Sequence, residues 1–205
     1  MSLGSLMLKY GSDKGGDSNS NHNYTTIYDP LLSCLKSKGS DVNLFELGLG
    51  TINTDIKSNM GWVPDYKPGA SQRAWSEWLP DAHIYGADID SDTLFTEGNI
   101  RTFQVDQTDA GSIDKLWTDI GDVLFDVIID DGLHEFDAGF TFMLNSIHKL
   151  KPGGLYIVED ITHSDCEKWY GSFDVLKSKF TSVEIVKLLH YPRNLFDNNL
   201  LICRI

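Results

Sequence analysis

The stretch "LFDVIIDDGLHEF", residues 124–136, indicates the fold because it joins an apolar strand to a polar turn. Residues 127–129 form a continuous apolar run, which is typical of a strand buried on both faces of a parallel sheet. Asp130 and Asp131 follow at once, and His134 comes three residues after Asp131. Ligands of open parallel sheets bind beyond the carboxyl ends of the strands. The turn therefore occupies the place where such a fold carries out its chemistry.

Apolar runs and helical patterns alternate on both sides of this stretch. Helical spacing of apolar residues is found at 70–79, at 136–150 and near 164–179. Alternating strands and helices predict βαβ units, a parallel sheet and helices on both of its faces. The strand patterns that share this arrangement are residues 43–47, 83–90, 101–106, 124–130 and 154–160.

The last two strand patterns, residues 182–189 and 198–205, have no helix between them. Their linker is too short for a helical crossover, so they should pair antiparallel. We therefore predict an α/β fold with a seven-stranded sheet, parallel apart from an antiparallel C-terminal hairpin strand. Residues 1–205 are expected to form a single domain, in which 1–40 supply an N-terminal loop or lid and a helix, and 41–205 supply the core. Asp29 before Pro30 predicts the start of that N-terminal helix.

Composition limits the function classes. The net charge of −13 disfavours nonspecific attraction to nucleic acid, which requires clustered Lys and Arg. No apolar run reaches the length of a membrane span, and no signal peptide pattern opens the sequence. The 3 cysteines are scattered and suggest neither a disulfide framework nor a zinc site. These observations predict a cytoplasmic protein with no nucleic acid or membrane partner.

Acidic residues follow each of the five predicted parallel strands. Asp131 follows one strand, and Glu159 and Asp160 end its presumed neighbour. Adjacent strands lie about 4.8 Å apart, so three carboxylates can converge on one ion. Oxygen ligands suit Mg²⁺ first, with Mn²⁺ or Ca²⁺ as alternatives. The structural alternative is that Asp130 and Asp131 cap the next helix and Glu159 forms a salt bridge.

The segment "ELGLG", residues 46–50, and Asp88 together indicate a nucleotide-type cofactor. Glycines permit close approach of a ligand to the backbone, and a carboxylate after the second strand can accept ribose hydroxyl groups. A dinucleotide fingerprint requires a third glycine, which does not follow Gly50. A cofactor without phosphates fits better, and S-adenosylmethionine is one. Asp130 is then placed to hold the methionine ammonium of that cofactor.

His134 differs from the other histidines because it lies beside a predicted metal ligand. Imidazole titrates near neutral pH, which suits a general base. His22 lies in the Gly/Ser/Asn-rich stretch 11–23 and is expected to be exposed. That stretch reads as a loop, a mobile lid or a disordered tail, and Lys14 and Tyr24 in or next to it are candidates for contact with cofactor or substrate.

Four segments, "NLFELGLG", "IYGADID", "FDVIIDDGLH" and "LKPGGLYIVEDI", occur in this order. In this order they resemble class I S-adenosylmethionine-dependent methyltransferases, whose sheet is Rossmann-like. With "KPGASQRAWSEWLPDAHIYGADID", the chain is similar to the metal-dependent sugar O-methyltransferases of macrolide biosynthesis and to the cephalosporin hydroxylase-like family. The resemblance is strong over 43–160 and looser over 8–30. It implies Mg²⁺ on Asp131, Glu159 and Asp160, with His134 as the base. The cofactor pocket it implies, completed by our assignment of Asp130, consists of Glu46, Gly48, Gly50, Ser71, Asp88, Asp106, Gln107 and Asp130.

These patterns predict a metal-assisted O-methyltransferase that acts on a hydroxyl of a small molecule: a sugar, a glycosylated natural product or a phenol. A homo-oligomer is possible. Two alternatives stay open. The first is a nicotinamide-dependent oxidoreductase, which would share the sheet. The second is a module that binds the metal and S-adenosylmethionine without transferring the methyl group.

Overall fold

Parallel strands form the centre of the sheet because their apolar residues are buried between two layers of helices. The computed structural model describes residues 1–17, 20–190 and 195–205. Within these ranges eight strands form one sheet, in the order β3-β4-β2-β1-β5-β6-β8-β7. The strands are β1 (Asn43–Leu47), β2 (His83–Asp88), β3 (Thr96–Glu97), β4 (Ile100–Gln104), β5 (Phe125–Asp130), β6 (Leu150–Val158), β7 (Ser182–Lys187) and β8 (Asn199–Arg204).

The helices pack on both faces of the sheet, as predicted. Their bounds are α1 (Leu3–Tyr10), α2 (Thr25–Leu32), α3 (Ala70–Trp78), α4 (Ala110–Ile120), α5 (Phe136–Ser146), α6 (His163–Gly171) and α7 (Phe173–Lys177). Apolar residues of α1, α2 and α3 form one core with alternate residues of the strands, among them Leu44 and Ile129. Residues of α4 to α7 form the other core with Phe45 and Ile128. Alternation along each strand therefore supplies both cores.

Strand register brings the predicted site residues together. Strand β1 pairs in parallel with β2 and with β5, and β5 pairs in parallel with β6. Asp130 is in register with Val158, so Asp131 and Glu159 leave the sheet next to each other. The terminal strands β7 and β8 pair antiparallel, which confirms that prediction.

Two details differ from the sequence prediction. The sheet has an eighth strand within the described residues, because β3 forms a tight hairpin with β4. Two residues are too few to show the alternation that marks a strand. Helix α2 begins at Thr25 and contains Pro30 in its last turn, so Asp29 is not its N-cap. A proline there removes only one hydrogen bond of the helix.

The predicted linker between the last two strands includes residues 191–194, which lie outside the described ranges. Among the helices in the described part of the chain, none combines the length and apolar character that a membrane crossing needs.

Candidate functional site

A cavity of about 420 Å³ opens at the carboxyl edge of the sheet. Its volume falls within the range of small-molecule sites. The predicted site residues that line it are Gly48, Gly50, Ser71, Asp88, Asp106, Gln107, Asp131, His134 and Asp160. Glu46, Asp130 and Glu159 are buried and are not among the lining residues.

The glycine turn after β1 forms one wall of the cavity. Gly48 has a φ of +94°, and a Cβ atom there would collide with the backbone oxygen of Asp131. The Asp88 carboxylate accepts hydrogen bonds from the backbone N–H groups of Leu49 at 2.8 Å and Asp90 at 3.0 Å. Asp88 thus shapes the turn as well as lining the cavity. The predicted contact of Asp88 with a ribose stays a prediction.

Gln107 connects the tip of β4 to the turn after β5. Its Nε2 donates to Asp130, and its Oε1 accepts from the Leu133 N–H at 2.6 Å. Asp130 also accepts a hydrogen bond from the backbone N–H of Gly132 at 3.2 Å. Burial raises the pKa of Asp130 to about 6. In this arrangement Asp130 holds the polar turn in place.

Asp131, His134 and Asp160 form a compact group at the cavity rim, called here the ligand group. One ligand atom from each lies within 4.8 Å of the other two. The His134 Nε2 atom is 3.2 Å from Asp131 Oδ1 and 3.5 Å from Asp160 Oδ2. Carboxylate oxygens are the ligands that Mg²⁺ and Mn²⁺ prefer, so Asp131 and Asp160 fit the predicted ion, and His134 lies beside them as the predicted base.

The backbone at this group is strained. His134 has a φ of +60° and Asp160 a φ of +52°, in the left-handed region that non-glycine residues seldom adopt. Such conformations cost about 1–3 kcal/mol each and concentrate at functional sites. The strained backbone directs the His134 and Asp160 side chains to the same point. The fold therefore tolerates a loss of stability at these two residues.

Charges within the ligand group shift its pKa values in opposite directions. Burial lowers the pKa of His134, but the carboxylates of Asp160 and Asp131 raise it to about 9. Burial raises the pKa of Asp131, but the positive charges of Lys14 and His134 hold it well below its usual range. Asp131 is therefore ionised at neutral pH, as a metal ligand must be.

Glu159 has other partners than the predicted ion. Its carboxylate pairs with the Lys14 ammonium and accepts a hydrogen bond from the Tyr28 hydroxyl at 2.5 Å. The predicted set of Asp131, Glu159 and Asp160 is thus divided. Asp131 and Asp160 lie with His134, whereas Glu159 faces Lys14.

Glu46 lies on the other side of the Lys14 ammonium, with its Oε1 atom 3.4 Å from the lysine Nζ. Its Oε2 accepts hydrogen bonds from Gln72 at 3.1 Å and from the Trp75 indole at 3.0 Å. Burial raises the pKa of Glu46 to about 7, against the opposing effect of Lys14. The predicted contact of Glu46 with a cofactor stays a prediction.

The N-terminal segment contributes more to the site than its sequence indicates. His22 is only 5% exposed, so the predicted exposure is wrong. Its ring stacks on Tyr24, and its Nε2 lies 3.5 Å from Asp160 Oδ1. The Tyr24 hydroxyl donates to Asp160 at 2.5 Å. The carboxylate of Asp160 thus has His22 and Tyr24 on one oxygen and His134 on the other.

Sequence reasoning missed the roles of Tyr28, Gln72 and Trp75. Tyr24 and Tyr28 lie four residues apart, which places both on one face of a helix and was a usable signal. The hydrogen bonds of Gln72 and Trp75 depend on how α3 packs against β1, which no local pattern contains.

Comparisons with known proteins agree with the fold and the motifs. A scan against protein-family models finds no match. The 8-demethyl-8-alpha-L-rhamnosyl tetracenomycin-C 2'-O-methyltransferase of Streptomyces olivaceus is 31% identical over 187 residues, which cover 91% of this chain and 44% of that protein. The demethylmacrocin O-methyltransferase of Streptomyces fradiae is 30% identical over 187 residues, covering 91% of this chain and 43% of that enzyme. The chain thus spans less than half the length of these relatives.

Solved structures show the same fold. The methyltransferase MycE of the mycinamycin pathway, in complex with Mg and SAH, superposes with a TM-score of 0.72 at 23% identity. The superposition covers 99% of this chain and 54% of MycE. The chain shares the fold of MycE, and by sequence it therefore belongs to the family of these natural-product O-methyltransferases, as its motifs predicted.

Proposed function

We propose that the chain is a metal-assisted O-methyltransferase that moves the methyl group of S-adenosylmethionine to a hydroxyl of a sugar or of a glycosylated natural product. The observation that carries this proposal is the position of the ligand group, Asp131, His134 and Asp160, at the rim of the glycine-walled cavity. The names of the relatives, an O-methyltransferase of a rhamnosyl tetracenomycin and one of demethylmacrocin, support the choice of acceptor.

The residues that form the walls of the cavity suit S-adenosylmethionine, the methyl donor. The turn of Gly48 and Gly50 leaves no room for side chains, and Asp88, Asp106 and Gln107 supply polar atoms along one side. We assign the binding of S-adenosylmethionine to Gly48, Gly50, Asp88, Asp106 and Gln107, together with Glu46, Ser71 and Asp130. A divalent ion held by Asp131 and Asp160 would act as a Lewis acid, lowering the pKa of the acceptor hydroxyl and fixing its orientation.

His134 carries the proton transfer in this proposal. The carboxylates of Asp160 and Asp131 raise the pKa of His134, and an ion held between them would offset that effect and leave the imidazole neutral. The His134 Nε2 then takes the hydroxyl proton of the acceptor while the oxygen forms its bond to the methyl carbon. The carbon–sulfur bond breaks, and S-adenosylhomocysteine leaves as a neutral thioether. Positioning of two bound reactants supplies much of the rate.

The acceptor, the assembly and the cellular location complete the proposal. We propose a small-molecule acceptor, a cytoplasmic location and no nucleic acid partner, with residues 1–205 forming one domain; a homo-oligomer stays an open alternative. The net charge of −13 supports the absence of a nucleic acid partner.

A methyl-transfer assay tests the activity. Labelled S-adenosylmethionine is supplied with a panel of glycosides and phenols that carry neighbouring hydroxyls, with Mg²⁺ or with EDTA. Transfer that requires the metal supports the proposal. Binding of NAD with no binding of S-adenosylhomocysteine would support the oxidoreductase instead. Binding of S-adenosylhomocysteine with no transfer to any acceptor would support the alternative of a module that binds the metal and S-adenosylmethionine without transferring the methyl group.

A further inference from the structure

The Lys14 ammonium lies inside a cluster of acids formed by the buried Glu46 and Glu159 and the partly exposed Asp131, called here the acid cluster. Its Nζ atom is 2.5 Å from Asp131 Oδ2 and 3.4 Å from Glu46 Oε1, and it pairs directly with Glu159 Oε2. Lys14 itself is 3% exposed. For a lysine buried to this degree, carboxylates replace the hydration of its charge.

The backbone around Lys14 holds it in this position. The Thr25 N–H donates to the Lys14 carbonyl at 3.3 Å, and the His22 N–H donates to the Asp13 carbonyl at 3.0 Å. The Thr25 hydroxyl donates to the Gly15 carbonyl at 3.0 Å. The lysine therefore enters the acid cluster from a defined loop.

The contacts of Lys14 divide the carboxylates that were predicted to converge on one ion. Glu159 has one oxygen on Lys14 and the other on Tyr28. Asp131 has Oδ2 on Lys14 and Oδ1 directed to His134. Asp131 can thus serve both partners, but Glu159 can reach a metal ion at the ligand group only after it releases Lys14.

We propose that Lys14 is a resident cation of the acid cluster that opposes metal binding. It offsets part of the negative charge of these acids before the ion arrives, and it withholds Glu159 from the ion. Recruitment of Glu159 as a ligand requires the Lys14 side chain to withdraw. The inference rests on the proposed function, because it concerns the metal site of that function.

Manganese binding to the apoprotein tests this directly, with calorimetry or electron paramagnetic resonance as the readout and no donor or acceptor present. Lys14→Met leaves the acids without a cation and risks failure to fold. The double variant Lys14→Met/Glu46→Gln loses one positive and one negative charge, so the acid cluster keeps its wild-type net charge. Its metal affinity is compared with that of Glu46→Gln alone. Lys115→Met is the matched control, because Lys115 is exposed and pairs with Asp119 on the surface of α4.

The double variant should bind Mn²⁺ at least about tenfold more tightly than Glu46→Gln, because one positive charge near the ion has been removed and Glu159 is released. Lys115→Met should bind like the wild type. If Lys14 had only a structural role, its loss would weaken metal binding. Equal or weaker binding by the double variant would therefore overturn the inference and leave the metal site standing. No Mn²⁺ binding by the wild type or by any variant would remove the proposed metal site and the inference together.

Discussion

His134, the proposed base, has an unfavourable backbone conformation. Its φ of +60° accompanies an Nε2 atom that faces Asp131 and Asp160 at the rim of the cavity. Asparagine tolerates this region of φ better than most residues, so it can replace His134 without changing the turn. The substitution separates the chemistry of the imidazole from the shape of the loop.

His134→Asn should lower kcat for methyl transfer by about 10²–10⁴-fold, because the amide cannot take up the proton. The affinity for S-adenosylhomocysteine should stay within about threefold of the wild-type value, since the turn keeps its shape. Steady-state assays and calorimetry measure the two quantities. A variant that retains full kcat would exclude His134 as the base.

Gly48→Ala should destabilise the protein and abolish binding of S-adenosylhomocysteine, because the new Cβ atom would overlap the Asp131 carbonyl. Gly153→Ala is a matched control, since Gly153 also has a positive φ but has no atom within 4 Å of the position that a Cβ would occupy. Both variants should lose about 1–2 kcal/mol to the left-handed conformation. Only Gly48→Ala should lose about 1–3 kcal/mol more to the overlap. Urea denaturation that gives equal losses for both would contradict the close approach of the turns after β1 and β5.

Asp126 links β5 to its neighbouring strands at the amino end of β5, away from the site. Asp126 accepts hydrogen bonds from the Asn43 N–H at 3.0 Å, from Lys38 at 2.9 Å and from Lys151 at 2.6 Å. Burial raises the pKa of Asp126, but Lys151, Asn43 and Lys38 together lower it below its ordinary value. The carboxylate thus joins β1, β5 and β6 at their amino ends.

Asp126→Asn should lower the free energy of unfolding by about 1–3 kcal/mol at pH 7, because two lysines lose a buried partner. A depressed native pKa gives stability that is complete above the unfolded pKa and is lost as pH falls through the native pKa. The difference from wild type should therefore shrink as the pH falls from neutral to about 3. Denaturation at several pH values measures it. Asp119→Asn, at an exposed pair with Lys115, should change stability by less than about 0.5 kcal/mol. A pH-independent loss in Asp126→Asn would contradict the ionic origin.

At the scale of elements, the sequence predicts most of the sheet. The apolar runs of β1, β2, β5 and β6 lie between clear helical patterns, so their order and their polar tips could be read directly. Strand β3 has only two residues and shows no period. The early start of α2 follows from burial of Tyr24 and Tyr28 against the acids, which is a tertiary effect that overrides the Pro30 signal.

For the whole molecule, the polar tips of β1, β5 and β6 meet the N-terminal segment above the sheet edge. The sequence predicts that Asp131 and Asp160 converge, because both follow neighbouring strands. It cannot predict that Lys14, more than 100 positions earlier in the chain, inserts between Asp131 and Glu159, since no local pattern encodes so distant a contact. Side-chain partners across such separations are decided by packing.

Ligands should stabilise the whole molecule if the site is formed as proposed. S-adenosylhomocysteine at a hundredfold excess over its Kd should add about 2.7 kcal/mol to the free energy of unfolding, and Mg²⁺ should add a further increment that EDTA removes. NAD at the same concentration should add nothing. Thermal denaturation measures each increment. A rise in Tm with NAD and none with S-adenosylhomocysteine would contradict the assignment of the cavity.

Asp131 and Asp160 are proposed to hold a divalent ion beside the donor cavity. A crystal grown with Mn²⁺ and S-adenosylhomocysteine tests it through the anomalous scattering of manganese. We expect one strong peak in coordination contact with the Asp131 and Asp160 carboxylates, next to His134, and density for S-adenosylhomocysteine in the cavity walled by Gly48. A fully occupied ligand in that cavity with no manganese peak at these two carboxylates would contradict it.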